Sequence, residues 1–142
     1  MKHIALIAVL ALPASAETIL SPQEFEAFVQ NSTVYFDRYG TPYGSEQYLR
    51  NRKVIWSFAN GECEFGEWFP REDQICFQYE NQNTPLCWHF VEQDGIKRAR
   101  VVGDDPVADL HIVAQDKQPV NCEAPNVGAQ LQSLDPTLIV EK

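Results

Sequence analysis

Cys63-Glu64-Phe65-Gly66-Glu67-Trp68-Phe69-Pro70-Arg71-Glu72-Asp73-Gln74-Ile75-Cys76-Phe77-Gln78-Tyr79 is the stretch whose reading decides the fold. Aromatic residues punctuate both halves, and Pro70 to Asp73 between them is built of turn formers, the pattern of two antiparallel strands joined by a tight turn. With Pro70 to Asp73 as the turn, Phe69 faces Gln74, Trp68 faces Ile75, Glu67 faces Cys76 and Gly66 faces Phe77. Side chains alternate between the faces of a strand, so Trp68, Ile75, Phe77 and Tyr79 share the face to be buried. Leu86, Trp88 and Phe90 continue that face on the next strand. Gly66 belongs where a larger residue would collide with a neighbouring aromatic or where the sheet must bend.

The opposite face carries Glu67, Cys76 and Cys87. A turn centred between Asn81 and Gln82 sets Cys76 directly across from Cys87, within bridging distance. Cys63 then lies opposite about Glu80, roughly 13 Å along the strand from Cys76 at 3.3 Å per residue. That exceeds the limit of about 7 Å between bridged Cα atoms. Elimination pairs Cys76 with Cys87 and Cys63 with Cys122. The second bridge closes a loop of about 60 residues and stabilises by about 4 kcal/mol on the chain-entropy model.

Outward from this hairpin the same strand character runs from Thr33 to Gln115. The strands fall at Thr33 to Arg38, Ser45 to Leu49, Val54 to Ala59, Cys63 to Phe69, Gln74 to Tyr79, Leu86 to Val91, Lys97 to Val102 and Leu110 to Gln115. Asn60-Gly61, Glu80 to Pro85 and Gln93 to Gly95 supply turns. Eight short strands with hairpin-length connections predict a mainly β fold, an antiparallel meander curled into a lipocalin-like barrel or half-barrel. An open α+β sheet is the alternative. Before the meander, Ser21-Pro22-Gln23-Glu24 is a capping box with proline at the first helical position. It starts one short helix within residues 17–32, ending near Asn31. Phe25, Phe28 and Val29 share one face of it, which makes the helix a lid or plug. Residues 116–142 form a tail strapped down by Cys122, with Leu131, Leu134, Leu138 and Ile139 able to dock a short helical turn.

Residues 1–16 read as a signal peptide: Lys2, the apolar Ile4 to Leu12, and an A-x-A site at Ala14 to Ala16. Residues 17–142 then make a single secreted domain, periplasmic or extracellular after cleavage near Ala16. Export also explains an even count of cysteines, since thiols oxidise outside the cytoplasm. The apolar run is shorter than the ~20 residues of a membrane helix, so no membrane span is expected. Cleavage removes one cation, Lys2, from 11 Lys and Arg and leaves 20 Asp and Glu, so the net charge moves from −9 to −10. A field of that sign repels phosphate backbones and excludes nucleic acid as a partner.

Chemistry-bearing patterns are sparse. Beyond the leader the histidines are His89 and His111, and no G-x-S-x-G elbow occurs. Cys76, Cys87 and His89 would be the sharpest metal set, but they lack zinc-finger spacing and oxidation competes for the thiols, so no metal or other cofactor is expected. Glu64 or Glu67 with His89 is the one arrangement that would make a hydrolase. Aromatics are the surplus: Tyr39, Tyr43, Trp56, Trp68, Phe77 and Trp88 are the candidate pocket or contact residues, because inward aromatics of a small barrel that leave a gap make an apolar pocket. Tyr39 to Gly44 reads as a loop at the rim or at a contact surface.

Asn60-Gly61-Glu62-Cys63, Gly66-Glu67-Trp68, Ile75-Cys76-Phe77-Gln78-Tyr79 and Cys87-Trp88 together resemble small exported proteobacterial proteins classed as domains of unknown function. The likeness spans about Thr33 to Val91 and implies a periplasmic location, with no catalytic residues to carry over. The expected function is a non-catalytic periplasmic binding or accessory protein, disulfide-stabilised, for a small apolar ligand or an envelope protein. The alternatives are the carboxylate and histidine hydrolase and an inhibitor of an envelope enzyme acting through the Tyr39 to Gly44 loop.

Overall fold

Two short elements, strand β1 (Thr18–Ile19) and helix α1 (Pro22–Val29), precede an eight-stranded meander in the computed structural model, which describes residues 15–122. The meander comprises β2 (Thr33–Arg38), β3 (Thr41–Tyr48), β4 (Lys53–Phe58), β5 (Cys63–Arg71), β6 (Gln74–Tyr79), β7 (Leu86–Gln93), β8 (Ile96–Val101) and β9 (Leu110–Asp116). Each of these strands pairs antiparallel with the next, and β9 also pairs with β2, so the sheet closes into an up-and-down barrel. That β2–β9 ladder rules out the open α+β sheet. No helix among the described residues is long and apolar enough to cross a membrane.

The strands alternate as barrel strands must, apolar side chains inward. Val34 and Phe36, Tyr48, Val54, Trp68, Ile75 and Phe77, Phe90, Ala99 and Leu110 are all buried. Helix α1 closes the end of the barrel at which β2, β4 and β6 begin. Ser21 accepts from the Glu24 amide at 3.3 Å while Glu24 accepts from the Ser21 amide at 2.8 Å, so the capping box forms as its residues predict. Phe25 is fully buried, its ring 4.3 Å from Phe90, 5.1 Å from Trp68 and 5.7 Å from Tyr48 between centroids. Two cations clamp the plug from outside. Arg52 pairs with Glu26 at 3.2 Å and lies over the Trp68 ring at 4.7 Å, and Lys97 stands 5.1 Å from the Phe28 ring.

The central hairpin differs from the expected register by two residues. Arg71 pairs with Gln74, Trp68 with Phe77 and Gly66 with Tyr79, so the turn is Glu72-Asp73 alone and Pro70 and Arg71 belong to β5. Glu72 takes a positive φ of 57°, which a two-residue hairpin turn requires. A shift of two keeps every side chain on its face, and the inward set is unchanged. A Cβ at Gly66 would overlap the Tyr79 ring and the Gln78 carbonyl, the collision that its place in the strand implies. The segment Tyr39 to Gly44 is also corrected: only Tyr39 and Gly40 form the turn, both at positive φ, and β3 already begins at Thr41.

Both disulfides, Cys76–Cys87 and Cys63–Cys122, have the expected pairing. Cys76 and Cys87 are direct cross-strand partners. The strap to Cys122 is held on its way by Thr33 Oγ1, which donates to the Gln118 carbonyl at 2.6 Å, and by the Val120 amide, which donates to Gln47 at 3.1 Å. Residues 1–14, where the signal peptide is expected, and the apolar residues of the far tail, Leu131, Leu134, Leu138 and Ile139, lie outside the described residues. Strand β1 was not anticipated: it takes the side of β7 that β6 leaves beyond Trp88, pairing Thr18 with Glu92 and Ile19 with Val91. Glu17, which follows the expected cleavage site, anchors it through Arg98 and Arg100 at 2.8 Å each. Because Phe25 joins the helix to four strands of the barrel, Phe25→Ala is expected to destabilise the protein by about 3–5 kcal/mol in urea unfolding.

Candidate functional site

The end opposite α1 remains open, and a cavity of about 150 Å³ descends from it into the barrel. Its floor is Tyr48, Phe77 and Phe90, three rings whose other sides meet Phe25. Phe36, Trp56, Trp88, Ala99 and Leu110 make the walls, and Tyr43, Phe58, Glu64, Gln82 and Leu86 surround the mouth. An apolar cavity of about this size accepts benzene in other proteins. Larger hollows of about 590 and 470 Å³ lie on the outer face of the sheet and enclose nothing on their far side.

Local irregularities shape this interior. The β2–β3 register slips between Phe36 and Asp37, so Phe36 pairs with Gly44 and Asp37 with Pro42, leaving Tyr43 as the extra residue of a bulge. Bulges re-aim a side chain, and Tyr43 turns to the mouth with its ring 6.0 Å from Trp56. A Cβ on Gly44 would overlap the Trp56 indole and the Ser57 carbonyl, so glycine there lets the indole lie across β3. Trp56 thereby touches Phe36, Tyr43 and Phe58, with centroid separations of 5.8 to 6.0 Å.

One carboxyl breaks the apolar wall. Glu46 is 3% exposed, and the Tyr79 hydroxyl donates to its Oε2 at 2.6 Å while Oε1 has no protein hydrogen-bond partner. Burial pushes its pKa up to about 8; the Tyr79 hydrogen bond opposes this and the nearby Glu64 charge adds to it. The hydroxyls of Tyr48 and Tyr79 are themselves raised well above the ordinary tyrosine value, by burial first and then by Glu46. Glu64 stands at the mouth and accepts from the Asn81 side chain at 2.5 Å.

Of the residues expected to form a pocket or contact, Tyr43, Trp56, Phe77 and Trp88 come together around the cavity. Trp68 instead packs beneath Phe25 at the plugged end, and Tyr39 is 71% exposed at the tip of its hairpin. The residues missed were Glu46 and its partner role for Tyr79. Their signal was present: Glu46 stands two residues from Tyr48 and two from Gly44, on the inward parity of β3. The residues of the hydrolase reading are not assembled. Glu67 pairs outward with Lys53 at 2.7 Å, Glu64 faces the cavity, and His89 lies on the outer face 3.5 Å from Asp73. The metal reading of Cys76 and Cys87 with His89 loses its thiolates to the disulfide. Among the described residues no cluster of three or more His, Cys, Asp or Glu could hold a metal.

No protein-family model, curated protein or solved structure matches this chain.

A buried carboxyl of raised pKa makes stability depend on pH in a defined direction. Between its ordinary value of 4.5 and about 8, Glu46 keeps its proton in the folded protein and loses it in the unfolded chain. The folded state binds the extra proton, so this group's contribution to stability falls as pH rises through that window and is level above it. Glu46→Gln removes the effect: the variant is expected to gain stability over the wild type from about pH 5 to about pH 8, by an amount that grows with pH, in urea titrations at several pH values.

Proposed function

We propose that this protein is a non-catalytic binding protein of the cell envelope whose barrel holds one small, largely apolar molecule. The observation that carries the reading is the cavity itself, walled mainly by aromatic and aliphatic side chains, floored by the aromatic layer under the helix plug and open at one end. A barrel that existed only as a stable body would fill that space, since interiors pack close to crystal density. Catalysis by a carboxylate and histidine finds no support in the placement of His89, Glu64 and Glu67. The two disulfides support a location outside the cytoplasm, in keeping with the leader and with the resemblance to small exported proteobacterial proteins.

Benzene and p-cresol are suitable probes, matched to a cavity of one ring. Titration is expected to shift the thermal midpoint upward and to change tryptophan emission with one-site saturation, since Trp56 and Trp88 line the cavity. Ala99→Leu adds volume inside the wall and should abolish the response while the far-ultraviolet circular dichroism stays that of the wild type. Absence of any saturable response from the wild-type protein with either probe would overturn the reading.

A further inference from the structure

Resting on that reading, we infer that the ligand is a small alkylammonium cation, held among the cavity's aromatic rings with its charge facing Glu46 and Glu64. Four observations converge. Glu46 Oε1 is a buried carboxyl oxygen in the cavity wall with no protein partner, where buried acceptors are nearly always paired. Among the described residues, the charged side chains lining the cavity are Glu46 and Glu64, and no Lys, Arg or His joins them. Tyr43 and Phe58 at the mouth and Trp56 and Trp88 in the walls flank the way in, and the faces of such rings attract desolvated ammonium groups. The chain as a whole carries a charge of −9, which draws cations toward it.

A neutral hydrogen-bond acceptor could take a proton from Glu46 Oε1, but it would make no use of the Glu64 charge and gain nothing from the ring faces. A cation that carries an N–H or O–H donor answers both, its charge meeting the two carboxylates and its donor pairing Glu46 Oε1. Its size is bounded by the cavity of about 150 Å³, room for a choline-sized group.

Binding of a cation favours the ionised form of Glu46, so the carboxyl releases its proton to solvent as the ligand enters. The groups that face Glu46 are Glu64 from β5, Tyr79 from β6 and Tyr48 from its own strand, with Val34 of β2 and Trp56 of β4 as its cross-strand neighbours. Arg38 of β2 holds its guanidinium 4.7 Å from the Tyr43 centroid at the rim, outside the lining. Affinity for a cation therefore rises with pH until Glu46 is fully ionised.

Isothermal titration calorimetry of the full chain with choline and with its neutral isostere 3,3-dimethylbutan-1-ol separates the possibilities. Choline is expected to bind at least about tenfold tighter than the isostere near pH 9, and to weaken toward pH 6 with proton release detected in buffers of different ionisation enthalpy. Glu46→Gln should remove most of choline's advantage over the isostere and abolish the pH dependence, and Glu64→Gln should remove part of the advantage without abolishing the pH dependence, while the far-ultraviolet circular dichroism of both variants stays that of the wild type, which shows that the barrel is intact. Equal or tighter binding of the isostere, or choline binding that ignores pH and Glu46→Gln, would overturn the cation and leave the cavity as a neutral site. Failure of choline, isostere, benzene and p-cresol alike would overturn the cation and the binding reading together.

Discussion

Everything in this molecule depends on the ladder between β2 and β9, which joins the first and last strands of the meander. Without it the eight strands would be a curled sheet with two exposed edges, a template for pairing with other chains. Closure converts the inward side chains from a surface into an interior with two ends. The N-terminal helix fills one end with Phe25 and Val29, and a shared layer of Tyr48, Phe77 and Phe90 separates that plug from the open cavity. Stability and binding are thus built from opposite sides of the same three rings.

The disulfides reinforce that arrangement at different ranges. Cys76–Cys87 ties adjacent strands that already pair, whereas Cys63–Cys122 spans 59 residues of sequence and carries the C-terminal strap across the outer face of the barrel. On the chain-entropy account the longer loop gives the larger stabilisation. Neither bridge touches the cavity, so the oxidised framework holds the walls while leaving their chemistry to Glu46, Glu64 and the aromatics.

Glu46 is the point where stability and function pull apart. A carboxyl in an apolar wall with one oxygen unpaired costs stability as pH rises, and a leucine of similar volume would not. Such an expense is intelligible where the group meets a ligand. Gly44 and the Tyr43 bulge, two residues and three residues before it, belong to the same local design, because they make room for Trp56 and turn a ring toward the mouth.

The strand positions, the burial of Trp68, Ile75, Phe77 and Phe90 and both cysteine pairings were legible in the sequence, since period-two alternation and the capping box are local and disulfide reach is set by strand geometry; Trp88 and Leu86 share that inward face but are half-buried and exposed, respectively, because they stand toward the open end. Even a register two residues off left these conclusions standing, because a shift of two preserves the faces. The two-residue turn at Glu72-Asp73 is not legible locally, because a positive φ at a non-glycine residue is a weak signal in the residue type. Alternation says which face a side chain is on, not how far along the barrel it sits, so it does not separate Trp68 at the plugged end from Trp56 and Trp88 around the cavity. Closure through β2 and β9, the plug at one end and the gap at the other were decided only in three dimensions. They rest on contacts between residues some 80 positions apart, such as Val34 with Gln115, and on the volume left over when the rings are packed, quantities that no stretch of the chain contains by itself.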